Sequence, residues 1–282
     1  MEKAIKRYFP IFVLPTMIAF TLGFIIPFAE GVYLSFCKFT TVNDAKFIGL
    51  SNYAKVFKDS TFVHAFWYTA AFTVVSVILI NVLAFAVALL LTKGIKGTNV
   101  FRTVFFMPNL IGGIVLGYIW QLLLNGILMK FSRTLTYSST FGFWGLVILM
   151  CWQQIGYMMI IYIAGIQNIP GELIEAAEID GATKRQVLKS VTIPMVMPSI
   201  TVCTFLTLTN SFKLFDQNLA LTGGDPNHMT EMLALNIYQT FYARAGAQWK
   251  GLGQAKAVLF CLLVIVISVL QLRATRKREV QQ

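Results

Sequence analysis

An all-α, polytopic membrane protein with six transmembrane helices is the fold class this sequence predicts, and three observations predict it. Hydrophobic residues make up 57% of the 282 residues and charged residues 12%, where a soluble domain carries roughly 45–50% and 25%. Mean hydropathy is +0.70. The apolar residues gather into runs, each long enough to cross about 30 Å of hydrocarbon as a helix. A water-soluble globule, a disordered chain and a fibrous repeat are excluded by the amount of apolar surface each would leave in water.

The runs lie at residues 11–36, 65–92, 101–127, 141–168, 193–215 and 253–274. The first follows basic residues (Lys3, Lys6, Arg7) and so mimics a secretion signal. It is long, contains Pro15 and Pro27, and lacks a small-residue cleavage site, so it is read as a retained span. The third holds Pro108, Gly112 and Gly113, and the fifth opens on Pro194 and Pro198. Breaks of this kind survive in lipid where neighbouring protein satisfies the freed backbone groups, which favours a bundle around a pathway.

Lys and Arg number 23 against 12 Asp and Glu, a formal charge of +11. In a soluble protein that balance would suggest nucleic acid; here it fits basic cytoplasmic loops and implies no nucleic-acid partner. Lys3, Lys6, Arg7, Lys93, Lys96, Arg102, Lys184, Arg185, Lys189, Arg273, Arg276, Lys277 and Arg278 fall on one side. They outnumber Lys38, Lys46, Lys55, Lys58, Lys130, Arg133, Arg244 and Lys250 on the other. Both termini and the segment after the fourth span are therefore expected in the cytoplasm. Cys37, Cys151, Cys203 and Cys261 form no C-x-x-C pair, so they are expected as small apolar packers, with no metal site.

The segment 169–198, IPGELIEAAEIDGATKRQVLKSVTIPMVMP, is the most informative. Pro170 suits a first helical position, and Glu172 and Glu175 favour the positive end of a helix. Ala176 and Ala177 allow close approach by another surface. Gly181 permits a sharp turn, and Asp180 is expected to cap a second helix at 182–190. The expectation is a helix–turn–helix rigidly joined to two membrane spans.

This segment resembles the EAA loop of bacterial binding-protein-dependent ABC transporter permeases. That motif reads E-A-A, three residues, G, nine residues, I-x-L-P. Here Glu175-Ala176-Ala177 and Gly181 match, and Val191-Thr192-Ile193-Pro194 departs conservatively. The likeness covers most of the chain and points to the sugar-type permeases. Phe47-Ile48-Gly49-Leu50-Ser51-Asn52-Tyr53, Met107-Pro108, Gly156-Tyr157 and Leu221-Thr222-Gly223-Gly224-Asp225-Pro226 are similar to that group. The outer connection 128–140 looks shorter than the family's.

The resemblance implies a type I ABC importer permease fold. It implies one permease domain over 1–282, with its core at 65–275 and a cytoplasmic coupling loop at 169–192. The chain would be a non-catalytic subunit importing a sugar or oligosaccharide by alternating access across the bacterial plasma membrane. A non-sugar solute such as glycerol phosphate is the alternative within the family. The implied partners are a second, related permease, two ATP-binding subunits and an extracytoplasmic solute-binding protein, besides membrane lipid. Glu175, Ala176, Ala177, Asp180 and Gly181 would form the ATPase-coupling site. No phosphate-binding loop G-x-x-x-x-G-K-[ST] occurs in the sequence. No cofactor of its own is therefore expected, ATP and magnesium being bound by the partner ATPases.

Polar residues inside spans are pathway candidates. Gln154 and Tyr157 in the fourth span, with Thr207, Asn210 and Ser211 in the fifth, carry the amides, hydroxyls and ring that a neutral polyol needs. Hydrogen bonding between helices is the competing role for all five. Asn81 is read as an interhelical group, Lys213 with Asp216 as a local ion pair, and Glu30 as an interfacial carboxylate with Lys38 in reach, lining of the pathway being its alternative. A secondary transporter would need intramembrane carboxylates or a visible inverted repeat. Glu30 is the one acid well inside a run, and no repeat is visible. A membrane hydrolase would need paired acids, a metal cluster or a Ser–His arrangement, and the two histidines, His64 and His228, fall outside the spans.

Overall fold

The computed structural model describes residues 2–276, so Lys277 and Arg278 of the basic set lie outside the described residues. In chain order, helix α1 (Glu2–Phe20) passes through a π turn (Thr21–Ile25) into α2 (Ile26–Ser35). Strands β1 (Cys37–Lys38) and β2 (Lys46–Phe47) pair antiparallel, Cys37 opposite Phe47 and Lys38 opposite Lys46. Helices α3 (Ser51–Lys58), α4 (Ser60–Leu91), α5 (Thr98–Phe106), α6 (Gly113–Leu128) and α7 (Ser139–Gln167) follow. Next come α8 (Gly171–Ile179), α9 (Lys184–Val187), α10 (Ile193–Met195), α11 (Met197–Phe212), α12 (Asp216–Leu221), α13 (Leu233–Tyr238) and α14 (Ala247–Arg276).

Five stretches are long and apolar enough to cross a membrane: Val13–Ser35, Ser60–Leu91, Gly113–Phe131, Ser139–Gln167 and Ala247–Arg273. A sixth is the bent pair Lys184–Met195 and Met197–Phe212, which turns by 68°. Prolines explain the bend. Pro198 cannot donate to the carbonyl of Pro194, and Pro194 cannot donate to Ser190, where a π turn (Leu188–Thr192) relieves the ladder instead. The third run differs from its expected extent. Residues 101–106 belong to the separate helix α5, a 3-10 turn covers Met107–Leu110, and the membrane helix starts at Gly113. Pro108 and the extended Gly112 (ψ 140) end one helix and start the next.

The chain divides into two compact units, residues 1–60 with 237–262 and residues 61–236 with 263–282. In the first, side chains and close packing hold the segment after α2 in place. Asn52 Nδ2 donates to the carbonyls of Ser35 and Cys37, both at 2.9 Å, and the Ser35 and Tyr53 hydroxyls are 2.6 Å apart. Gly251 of α14 lies against the Cys37 carbonyl, where a Cβ would overlap it. Lys256 of α14 is 0% exposed. Its Nζ lies 2.8 Å from Asp59 Oδ2 and donates to Thr240 Oγ1 at 2.8 Å. Glu30 is exposed, and no ion pair joins it to Lys38 among the described residues.

The second unit is built around α7. Of its apolar window 61% is buried, against 28% for α4 and 11% for α6. Phe72, Ile80, Leu146, Leu149, Met158, Met159 and Tyr162 form its core. Glycines set the spacing. Gly113 and Gly117, one turn apart on α6, meet the Cβ atoms of Asp216 and Ala220 on α12, and Gly156 lies against the Phe105 carbonyl of α5. Asn81 links three helices as expected. Its Nδ2 donates to Thr207 Oγ1 (2.9 Å), and its Oδ1 accepts from the Tyr162 hydroxyl (2.6 Å). Cys151 and Cys203 are buried and unpaired, and no metal-holding cluster occurs among the described residues.

Candidate functional site

The segment between α7 and α11 is a locked elbow. Pro170 (φ −58, ψ 127) stands just before α8, and Glu172 lies in the first turn. At the other end Gly181 takes φ +79, its N–H donates to Glu178 O (3.0 Å), and the Ala182 N–H reaches Ala177 O (3.0 Å). These are the paired bonds of a Schellman cap, which needs a left-handed residue where glycine stands. Asp180 therefore closes α8 (φ −70, ψ 1) and does not cap the next helix. Its backbone is not extended, as an N-cap requires. Thr183 (φ −69, ψ 156) takes that role. Its hydroxyl accepts from the Gln186 N–H at 3.4 Å, and Gln186 Oε1 accepts from the Thr183 N–H at 2.8 Å.

The elbow is anchored on one face. Ile169 is 9% exposed and Ile174 packs against the same core. The opposite face is bare: Glu175, Ala176 and Asp180 are exposed, Ala177 is half-buried, and Ile179 is 86% exposed. Gly165 of α7 abuts Ser199 of α11, so the two membrane helices that the elbow joins are in close contact.

Between α7, the end of α11 and the start of α12 lies an open cleft of ≈ 360 Å³. Gln154 and Asn210 line it with Lys213, Asp216 and Gln217, and Asn210 Nδ2 donates to Gln154 Oε1 at 3.5 Å. Gln217 is itself held, its Nε2 donating to Gln153 Oε1 at 2.8 Å, while Gln153 Nε2 donates to the Ile111 carbonyl at 3.3 Å. Lys213 and Asp216 form no ion pair among the described residues, contrary to the local pair read from their spacing. Lys213 ends α11 and Asp216 begins α12. Each thus complements the dipole of its own helix instead.

The other three pathway candidates are placed elsewhere. Thr207 is 0% exposed. Its hydroxyl donates to Cys203 O (2.7 Å) and accepts from Asn81, so it is used up between helices and does not face the cleft. Ser211 is likewise 0% exposed, with its hydroxyl buried and without a hydrogen bond. Tyr157 is half-buried against Phe106, ring centroids 6.4 Å apart. Sequence reasoning passed over Gln217 and the α12 wall. The Gly113-x-x-x-Gly117 spacing was the available signal that a second helix lies along α6.

A helical membrane protein with an exposed elbow and a polar cleft beside the same two spans is the class these features define. The chain belongs to the family of binding-protein-dependent transport system inner membrane components, whose profile matches residues 81–279. It is 44% identical over 280 residues to a probable starch degradation products transport system permease of Thermoanaerobacterium thermosulfurigenes, covering 96% of this chain and 94% of that one. It is 30% identical to a multiple sugar-binding transport system permease of Streptococcus mutans, covering 99% of each. A solved ABC transporter involved in alginate import has a chain of the same fold, with TM-score 0.81 at 20% identity over 98% of both chains. The protein is thus an ABC transporter permease with the type I importer fold.

Proposed function

We propose that this chain, as one permease domain over 1–282, imports a neutral sugar or oligosaccharide across the bacterial plasma membrane by alternating access. The relatives named for starch products and multiple sugars support the solute class. So does a cleft whose Gln154 and Asn210 offer amide donors and acceptors. The observation that carries the reading is the elbow: a rigid, exposed lever joined directly to the two helices beside that cleft. Glu175, Ala176, Ala177 and Asp180 present its surface to one of two separate ATP-binding subunits, and Gly181 holds its angle. ATP and magnesium bind in those subunits, and this chain carries out no chemistry. A second, related permease completes the pathway, and an extracytoplasmic binding protein delivers the solute.

Glu175→Arg and Gly181→Pro test the reading in the assembled transporter. Both should leave membrane insertion intact and uncouple ATP hydrolysis from uptake. Undiminished uptake in both variants would refute it. The solute class is tested by a thermal-shift screen of the cognate binding protein against sugars, polyols and glycerol phosphodiesters. Stabilisation by a phosphodiester alone would transfer the assignment to the non-sugar branch.

A further inference from the structure

We propose that the short connection between α6 and α7 is a headgroup site for an anionic phospholipid, on the membrane surface opposite the coupling elbow. The connection joins the end of one span, Gly113–Phe131, to the start of the next, Ser139–Gln167. That places it at headgroup depth. The 29 residues of α7 separate it from the elbow by about 43 Å at 1.5 Å per residue.

Its backbone is fixed. Ser132 takes φ 55, its N–H donates to Met129 O (3.0 Å), and the Arg133 N–H donates to Leu128 O (3.2 Å). Leu135 is 2% exposed and seated against Gly145, while its N–H donates to Asn125 Oδ1 at 2.8 Å. This frame holds the Arg133 guanidinium over two rings, with Cζ 5.2 Å from the Tyr137 centroid and 5.7 Å from that of Phe141. Beside it opens a cleft of ≈ 440 Å³, lined by Leu128, Phe131, Arg133 and Phe141.

Charge selects the ligand. No Asp or Glu occurs from Ser60 to Gly171. Among the described residues neither Arg133 nor the nearby Lys130 has a carboxylate within ion-pair distance, although Asp225 and Glu231 lie in the segment that packs on Gly142. A guanidinium oriented by aromatic faces keeps its N–H edges free for the oxygens of a phosphate. The apolar cleft alongside suits an acyl chain, and the exposed Tyr137 and Trp144 are the residue types that settle at this depth. A phosphate with an attached chain satisfies both halves of the site; a free phosphate satisfies one.

The test is native mass spectrometry of the assembled transporter titrated with phosphatidylglycerol or with phosphatidylcholine of the same chains. The site predicts retention of phosphatidylglycerol over phosphatidylcholine. Arg133→Gln should weaken it roughly tenfold, the size of one lost charge-assisted hydrogen bond. Arg133→Lys should keep part of it, and Phe131→Ser should weaken it through the apolar half. These side chains are exposed and outside the transport cleft, so unchanged thermal unfolding accompanies each variant. Equal retention in Arg133→Gln overturns the proposal. So does competition by soluble glycerol phosphate as strong as by the lipid. A loss of binding-protein docking in Arg133→Gln with lipid retention unchanged would assign the site to that protein instead.

Discussion

Replacing Asn81 by alanine removes the amide that ties α4 to α7 and α11. Two interhelical bonds go, to the Tyr162 hydroxyl at 2.6 Å and from Asn81 Nδ2 to Thr207 at 2.9 Å. Such bonds contribute about 0.6 kcal/mol each in a membrane protein. The larger effect is what is left behind. Tyr162 is 1% exposed, and its hydroxyl is left with only the weakly accepting Cys203 thiol, at a cost of about 1–3 kcal/mol. Asn81→Ala should therefore destabilise the helix bundle by about 2–4 kcal/mol. Tyr162→Phe removes the poorly satisfied group as well as the bond, so the double variant should be more stable than the sum of the singles by about 2–4 kcal/mol. Equilibrium unfolding in mixed micelles, followed by circular dichroism, measures the cycle. Additive single effects would show that the three groups do not act together and would refute the reasoning.

Gly156→Val should force α5 away from α7, because its Cβ falls on the Phe105 carbonyl; a loss of about 1–3 kcal/mol or more is expected in the same unfolding assay. Lys256→Met should destabilise by about 3 kcal/mol, because it removes the buried cation 2.8 Å from Asp59 Oδ2. Adding Asp59→Asn should restore most of the loss in thermal unfolding. Backbone N–H groups of Thr41 and Thr40 hold the Asp44 carboxyl below its ordinary value of 3.8. Because the folded value is the lower one, this contact stabilises the loop above pH 3.8 and is lost as pH falls through the folded value. Amide exchange at residues 40–46 should accelerate in Asp44→Asn at neutral pH, and the difference from the unmutated protein should vanish in strong acid.

The spans were legible because bilayer length is written into run length, and four of the six runs match single helical stretches to within a few residues. The third run misled because hydropathy continues smoothly across Pro108 and Gly112 while backbone geometry does not. The elbow was legible at Gly181, where one residue type fits the turn. The cap was misassigned because Asp180 and Thr183 are both good N-cap residues, and the Schellman closure that occupies Asp180 is a matter of backbone angles. In the pathway, Thr207 and Asn210 are equally polar and lie on one helix. Which of them meets a neighbouring amide and which meets an opening depends on where α4 and α12 pack. The Lys213–Asp216 pair failed for a related reason, since proximity in sequence does not fix side-chain direction at a helix end. Lys256 was hidden because its partner Asp59 lies far away in sequence.

A cysteine at position 176, introduced as Ala176→Cys after replacing Cys37, Cys151, Cys203 and Cys261, would probe the exposed face of the elbow directly. The account predicts cross-linking to the ATP-binding subunit during turnover and protection from a membrane-impermeant thiol reagent added outside. Labelling from the exterior, or turnover with no cross-link to that subunit, would contradict it.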